Sequence, residues 1–448
     1  MAYIPHTEEE RQAMLAAIGV RSLDDLYQAV PAAVRFPDLE LPEAVSELEV
    51  MEELQALSEA NLDARHTVCF LGAGAYNHFV PSVVDHILRR GEFYTAYTPY
   101  QPEVSQGTLQ AIFEYQSLIC NLTGMDVSNA SHYDGATALA EAAILAFNHH
   151  RGKRSKIVLS PGIHPHYRQT VRTYMQGMGL NLIGDAALGN DSAALAGLLD
   201  SDTMMVGVQY PDFFGRIEDF TALGKAVHAV GALLCVCVNP LALGLLKPPA
   251  EFDADVVVGD GQPLGIPMSF GGPSLGHFTV KKEFVRKMAG RLVGETVDGR
   301  GQRGFVLTLS TREQHIKREK ATSNICTNVA LMALASAVYL SAMGKQGLRQ
   351  VAELCYHKAH YAAEQIGALK SYTLWNRGEF FHEFAVRCPK PVADVNRFLL
   401  DECSILGGYD LGQDYPELKD HMLIAVTEMN SKEQIDDLVA GLKEVAHG

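Results

Sequence analysis

The sequence predicts an α/β protein: a large domain built on a mostly parallel sheet, followed by a small α+β domain at the C-terminus. Three observations carry this reading. Between Lys156 and Val280 the chain repeats a short apolar run, a turn and a helix. The runs at 156–160, 181–183, 204–209, 233–238, 254–258 and 277–280 are apolar without alternation, the mark of strands buried on both faces. A chain of 448 residues, 47% hydrophobic and 20% charged, can fill a large core and a second domain.

Residues 1–61 read as a helical arm. Thr7 and Glu10 have capping-box spacing, and Gly19 stops the helix they start. Ser22 is expected to cap a second helix ending before Pro31. The 37–42 segment is extended, and a Leu/Glu-rich helix runs from Pro42 to about Asn61. Such an arm wraps either a neighbouring subunit or its own large domain.

The large domain, 62–310, opens on the apolar run 68–71, which ends in Gly72 and Gly74. The third glycine of a dinucleotide fingerprint is missing, because Asn77 stands there, so the glycines are read as a tight turn. Val80-Pro81 opens a helix through Leu88, another covers about 108–122, and a small-residue helix reaches about Phe147. The Gly135-Ala136-Thr137 turn before that last helix has the form of an anion cradle; it is read as an N-cap without a ligand. The 294–304 segment, rich in Gly and Arg, is expected to be a mobile surface loop.

Connecting helices occupy 311–347. The 329–340 stretch is apolar nearly all round and therefore buried, and Gly344 and Gly347 break it. The small domain, 348–448, has strands at 380–386 and 422–426 and helices at 392–403 and 433–445, the last capped by Ser431.

Composition excludes several classes. A net charge of −16 argues against nucleic acid and acidic membranes. The eight cysteines form no C-x-x-C pair and fit a reducing compartment. Cys235 and Cys237 should share one face of a strand, and Cys326 should be buried. No spacing supports a metal site; His164-Pro165-His166 is read as a hydrogen-bonded turn at a helix start. No apolar run spans a bilayer, and the acidic N-terminus resembles neither a signal nor a transit peptide, so a soluble, cytoplasmic chain is expected.

The candidate site is the stretch Tyr94-Thr-Ala-Tyr97-Thr-Pro-Tyr100-Gln-Pro-Glu103-Val-Ser105-Gln106-Gly107. Three phenols, a carboxylate and an amide on a proline-stiffened loop make a poor core and a plausible site. Two other strings stand out: Tyr133-Asp-Gly-Ala-Thr-Ala-Leu-Ala-Glu141, and Arg312-Glu-Gln-His315-Ile-Lys-Arg-Glu-Lys-Ala-Thr-Ser323-Asn324-Ile-Cys-Thr327. The alternating charge of 312–320 reads as an exposed, ion-paired helix.

Together with Tyr3-Ile-Pro-His-Thr-Glu, these strings closely resemble the glycine cleavage system P-protein family, and within it the alpha subunit of the bacterial two-subunit form. The resemblance implies the aspartate-aminotransferase-like fold of pyridoxal-phosphate (PLP) enzymes (fold type I). It also implies an α2β2 assembly that decarboxylates glycine and passes the aminomethyl group to the lipoyl arm of H-protein, releasing CO2. PLP chemistry needs an imine-forming lysine and a carboxylate on the ring nitrogen. Set against the family's cofactor-bearing beta subunit, Gln262 falls at the lysine and Val236 roughly at the carboxylate. Lys247 lies in a connection, and Lys281 and Lys282 begin a charged segment. The expectation is therefore that PLP is bound by the partner beta subunit and not covalently by this chain. Tyr97, Tyr100 and Glu103 are the expected catalytic residues, with Ser105, Gln106 and Asn324 binding substrate. Two alternatives remain at this level: a catalytically silent scaffold stabilising the beta subunit, or an independent enzyme with an unrecognised lysine.

Overall fold

The computed structural model describes residues 5–64, 66–188, 191–375 and 378–447; Tyr3 and Ile4 of the opening string lie outside them. The chain forms two units, Met1–Leu62 and Asp63–Gly448.

In the first unit, the helix Glu8–Ile18 starts on the predicted capping box between Thr7 and Glu10, and Gly19 ends it at φ 87°. The helix expected after Ser22 is only a 3-10 turn, Asp24–Tyr27, because the Asp25 carboxylate accepts from the N–H groups of Arg21 and Ser22. The Leu/Glu-rich helix begins at Glu47 rather than near Pro42, since Ser46 and Glu49 form a second capping box. Of the described residues in this unit, Leu15 alone is buried.

The second unit is organised on a seven-stranded sheet in the order Val127–Ser128, Gly276–Val280, Val256–Asp260, Leu233–Val238, Thr203–Tyr210, Lys156–Leu159, Asn181–Ile183. The five strands from Val256–Asp260 to Asn181–Ile183 are parallel. The two at the other edge are antiparallel. The period of two along Leu233–Val238 sends Cys235 and Cys237 into one core layer, with Leu139 and Val171. Leu234, Val236 and Val238 enter the other, with Phe220 and Phe252.

The 294–304 segment is not a mobile loop. Leu292–Val297 and Arg303–Thr308 pair as an antiparallel ribbon, and the Asp298 carboxylate closes its turn by accepting from Arg300 N and Gln302 N. Two glutamines of the helix Gln106–Thr123 clip the ribbon down. Gln106 bonds both the N–H and the carbonyl of Phe305, and Gln116 does the same at Val293.

The break expected at Gly344 is a kink, at φ 60° and ψ −177°, inside one long helix, Ala330–Gly367. The C-terminal sheet is antiparallel, ordered Thr373–Leu374, Glu383–Arg387, His421–Ala425, Tyr409–Asp410. The helices Val392–Cys403 and Lys432–His447 accompany it. Val68–Cys69 joins this region rather than the large sheet: it pairs with Ile405–Leu406, and Phe70 bonds Leu406 and Ala425. The following turn places Gly72, Ala73 and Gly74 at positive φ, as the glycines predict. Among the described residues, no helix is long and apolar enough to cross a membrane.

Candidate active-site face and a small cavity

The three strings singled out in the sequence meet in space. Tyr133 Oη accepts from Cys326 N at 3.3 Å, and Ser323 Oγ donates to Glu141 Oε1 at 2.8 Å. The hydroxyls of Thr98 and Thr327 lie 3.4 Å apart. At the centre is Arg291, itself 2% exposed. It pairs with Glu313 and donates to Thr98, Thr327 and Tyr100.

On this face Tyr97 is 82% exposed and Tyr100 is 52% exposed. Glu103 is exposed in the turn before the helix, and Ser105 precedes that helix without capping it. Gln106 is placed differently from the expectation. Its amide is committed to Pro102 O and to the Phe305 peptide, so it holds the loop on the ribbon rather than offering a free group. Asn324 is exposed beside Ser323. Glu141 is buried, with Oε2 lacking a partner, and burial pushes its carboxyl up to about 7.

Two expectations here are corrected. Cys326 is exposed, not buried; its backbone N–H is the group tied inward. Nor is 312–320 one exposed helix. Arg312 turns inward to the carbonyls of Met288 and Gly290, Glu313 is buried on Arg291, and only the short turns Gln314–Lys317 and Arg318–Lys320 remain.

A separate cavity of about 40 Å³ lies at the carboxyl ends of the central strands, lined by Tyr76, His164, Tyr167, Cys237, Asn239 and Asp260 among others. This is the crevice where open α/β sheets bind ligands. None of Tyr97, Tyr100, Glu103, Ser105, Gln106 or Asn324 lines it.

The residues present do not fit PLP. Gln262 has no amine for an imine, and its amide is fully engaged: Oε1 accepts from Tyr76 N, and Nε2 donates to the carbonyls of Tyr76 and Ile266. Val236, set roughly at the ring carboxylate, is buried in the opposite core layer, and the residues of that strand at the cavity are Cys237 and Val238. Burial pushes the Cys237 thiol up, so it stays neutral.

The anion cradle at the start of the helix Gly135–His149 is filled from within. Asp260 accepts from Gly135 N at 3.2 Å and from Gln262 N at 2.9 Å, and burial pushes its carboxyl up to about 6. Asp134 caps Thr137 N, and the Tyr167 hydroxyl sits so close to Gly135 that no Cβ fits. The free volume is far below the roughly 300–1,000 Å³ of a small-molecule pocket.

Asn239 Nδ2, at the cavity, has no partner, whereas other polar groups are engaged. His164 caps the helix Pro165–Met175; its Nε2 donates to Ala73 O and its Nδ1 accepts from His166 N. Burial pushes it down to about 4, a neutral ring. Lys247 pairs with Asp219, and Lys281 pairs with Asp253 and Asp255. His78, Cys355 and Glu428 are close enough to hold an ion. The carboxylate there already accepts from His78, Cys355 and Phe79 N.

Arg291, Tyr167 and Asp260 carry much of this arrangement and were not found by sequence reasoning. The signal for Arg291 was a lone cation in Met-Ala-Gly-Arg-Leu-Val-Gly, a setting that favours a buried, paired charge.

The sheet order, the crevice and the C-terminal domain place this chain in the PLP-dependent transferase fold, type I. Glutamate decarboxylase from Lactobacillus brevis shares that fold, with a TM-score of 0.69 at 13% identity over 94% of this chain and 97% of its own. The chain belongs to the glycine cleavage system P-protein family, whose model matches residues 1–442. It is 57% identical over 447 residues to "Probable glycine dehydrogenase (decarboxylating) subunit 1" of Thermomicrobium roseum, covering 99% of each chain. It is also similar to the crystal structure of glycine decarboxylase (P-protein) of the glycine cleavage system in inhibitor-bound form. There the TM-score is 0.90 at 44% identity, over 99% of this chain and 100% of that one.

Proposed function

We propose that this chain is the alpha, non-cofactor subunit of a glycine-decarboxylating P-protein, acting in the cytoplasm in an α2β2 complex with a PLP-bearing beta subunit. The complex releases CO2 from glycine and hands the aminomethyl group to lipoylated H-protein. The observation that supports this reading is the occupied crevice: Asp260 fills the anion cradle and Gln262, where a lysine would be needed, is bonded to the backbone of Tyr76, so a reactive group on the partner is the reading that fits.

What this chain adds is the tyrosine face. Tyr97 and Tyr100 present phenols that donate to the glycine carboxylate. Glu103 orients them or meets the incoming lipoyl arm, and Ser105 and Asn324 extend the polar rim. Gln106 keeps the loop in place. Orientation matters because the bond to be broken must be held in line with the cofactor's π system.

The test is a glycine–bicarbonate exchange assay on the complex with H-protein, with and without this chain, and with Tyr97→Phe and Tyr100→Phe. Loss of roughly tenfold or more in exchange, about one transition-state hydrogen bond, is expected for at least one tyrosine variant. Full exchange by both variants in a normally assembled complex would instead make the chain a silent scaffold.

A further inference from the structure

Arg291 is built into its place before its side chain does anything. Gly290, at φ 81°, lies so near Asn129 that an added Cβ would come 2.6 Å from Nδ2. The Arg291 carbonyl accepts from Ala130 N at 2.8 Å. The backbone is thus fixed on the core, and the guanidinium projects under the tyrosine loop.

Its contacts use the planar fork. Nε pairs with Glu313 Oε2 at 3.3 Å, and Nη1 donates to Thr98 Oγ1 at 3.0 Å and to Thr327 Oγ1 at 2.5 Å. Nη2 donates to Tyr100 Oη at 2.7 Å, with the ring centroid 5.0 Å from Cζ. One cation therefore joins the tyrosine loop to both ends of the 313–327 segment. Glu313, 9% exposed, supplies the countercharge that lets it stay buried. A lysine, with one compact ammonium, cannot reach three segments in these directions.

The direction of the Tyr100 bond is the informative part. The phenol oxygen accepts from Arg291, so the phenol's own hydrogen is the group left to donate, on a ring that is half in solvent. We infer that Arg291 is the positioning residue of this face, setting Tyr100 as a hydrogen-bond donor toward the substrate held by the partner; the inference rests on the reading that the face completes the partner's site. Arg291 does not touch the substrate and acts through Tyr100.

The experiment is a double-mutant cycle on the assembled complex, with exchange rate and KM for glycine measured for Arg291→Lys, Tyr100→Phe and the pair. Each single variant should lower kcat/KM about tenfold, and the pair should fall no further than Tyr100→Phe alone. Thr327→Val removes one anchor and keeps the charge, which guards against a misfolded Arg291 variant. It should lower the rate by about threefold with Tyr100 present and not at all in the Tyr100→Phe background, and Thr327→Ser should restore it. Multiplicative losses, or full rate in Arg291→Lys while Tyr100→Phe is impaired, overturn the inference alone. Full rate in both Tyr97→Phe and Tyr100→Phe overturns the reading beneath it and the inference with it.

Discussion

Glu141 shows how one buried side chain ties the pieces of the face together and makes them sensitive to pH. It lies on the helix Gly135–His149, takes the Ser323 hydroxyl with one oxygen and leaves the other without a partner. Burial raises its carboxyl from 4.5 to about 7 in the fold. Between those two values the folded chain holds a proton that the unfolded chain has released, so this group's contribution to stability falls as pH rises through the window. Asp260, pushed up to about 6, and Glu383, pushed up to about 7, act with the same sign and the same cause. Glu141→Gln keeps the acceptor for Ser323 and removes the titration. Its Tm should match the parent's near pH 5 and exceed it by roughly 1–3 °C near pH 8. A difference that stays constant across that range would mean that the carboxyl is ionised in the fold.

At the scale of elements, the recurrent device is a glutamine amide bonded to both the N–H and the carbonyl of one distant residue. Gln116 holds Val293, Gln106 holds Phe305, and Gln262 holds Tyr76. Val293 is 3% exposed, so water cannot replace the lost partner. Gln116→Leu should therefore cost about 1–3 kcal/mol in denaturant unfolding and speed amide exchange along Leu292–Val297. Gln110→Leu, which removes an exposed amide bonded to Glu114, should change neither. These clips also mark the limit of what could be read from sequence. Some caps were legible because they are local: Thr7 with Glu10 is visible in four residues, and so is the turn before Gly135, whereas the equally local box of Ser46 and Glu49 was passed over for Pro42. The buried parallel strands were legible from their unalternated apolar runs. The ribbon at 292–308, the edge strand Val127–Ser128 and the partner of Val68–Cys69 were not, since each depends on pairing or anchoring between distant segments of the chain. At the candidate face the family-like strings located the tyrosines. The cation that gathers them lies 191 residues from Tyr100; its apolar setting marks it as a buried, paired charge but does not say which segments it joins.

At the scale of the molecule, the arm poses a stability question that its own sequence cannot answer. In the helix Glu47–Glu59 none of the residues is buried, and Leu48, Met51, Leu54 and Leu57 are 56% to 68% exposed. Further apolar side chains at Ile18, Val34, Phe36, Leu39 and Leu41 are equally open. Apolar surface left in water contributes none of the roughly 25 cal/mol per Å² that burial supplies. The capping boxes at Thr7 and Ser46 hold helix ends at about 1 kcal/mol each, which is too little to order a segment of this length. A cover is needed, and the proposed beta subunit and the chain's own large domain are its two candidates. Limited proteolysis of the isolated chain should therefore cut first within 28–46, where the arm has only one short 3-10 turn, Ala32–Val34, and leave a fragment holding 63–448 intact. The same digestion on the assembled complex should spare the arm by tenfold or more in rate, about 1.4 kcal/mol of added local stability. Equal cutting in both states would show that the partner does not cover these side chains, and the exposed leucines would then need a different occupant.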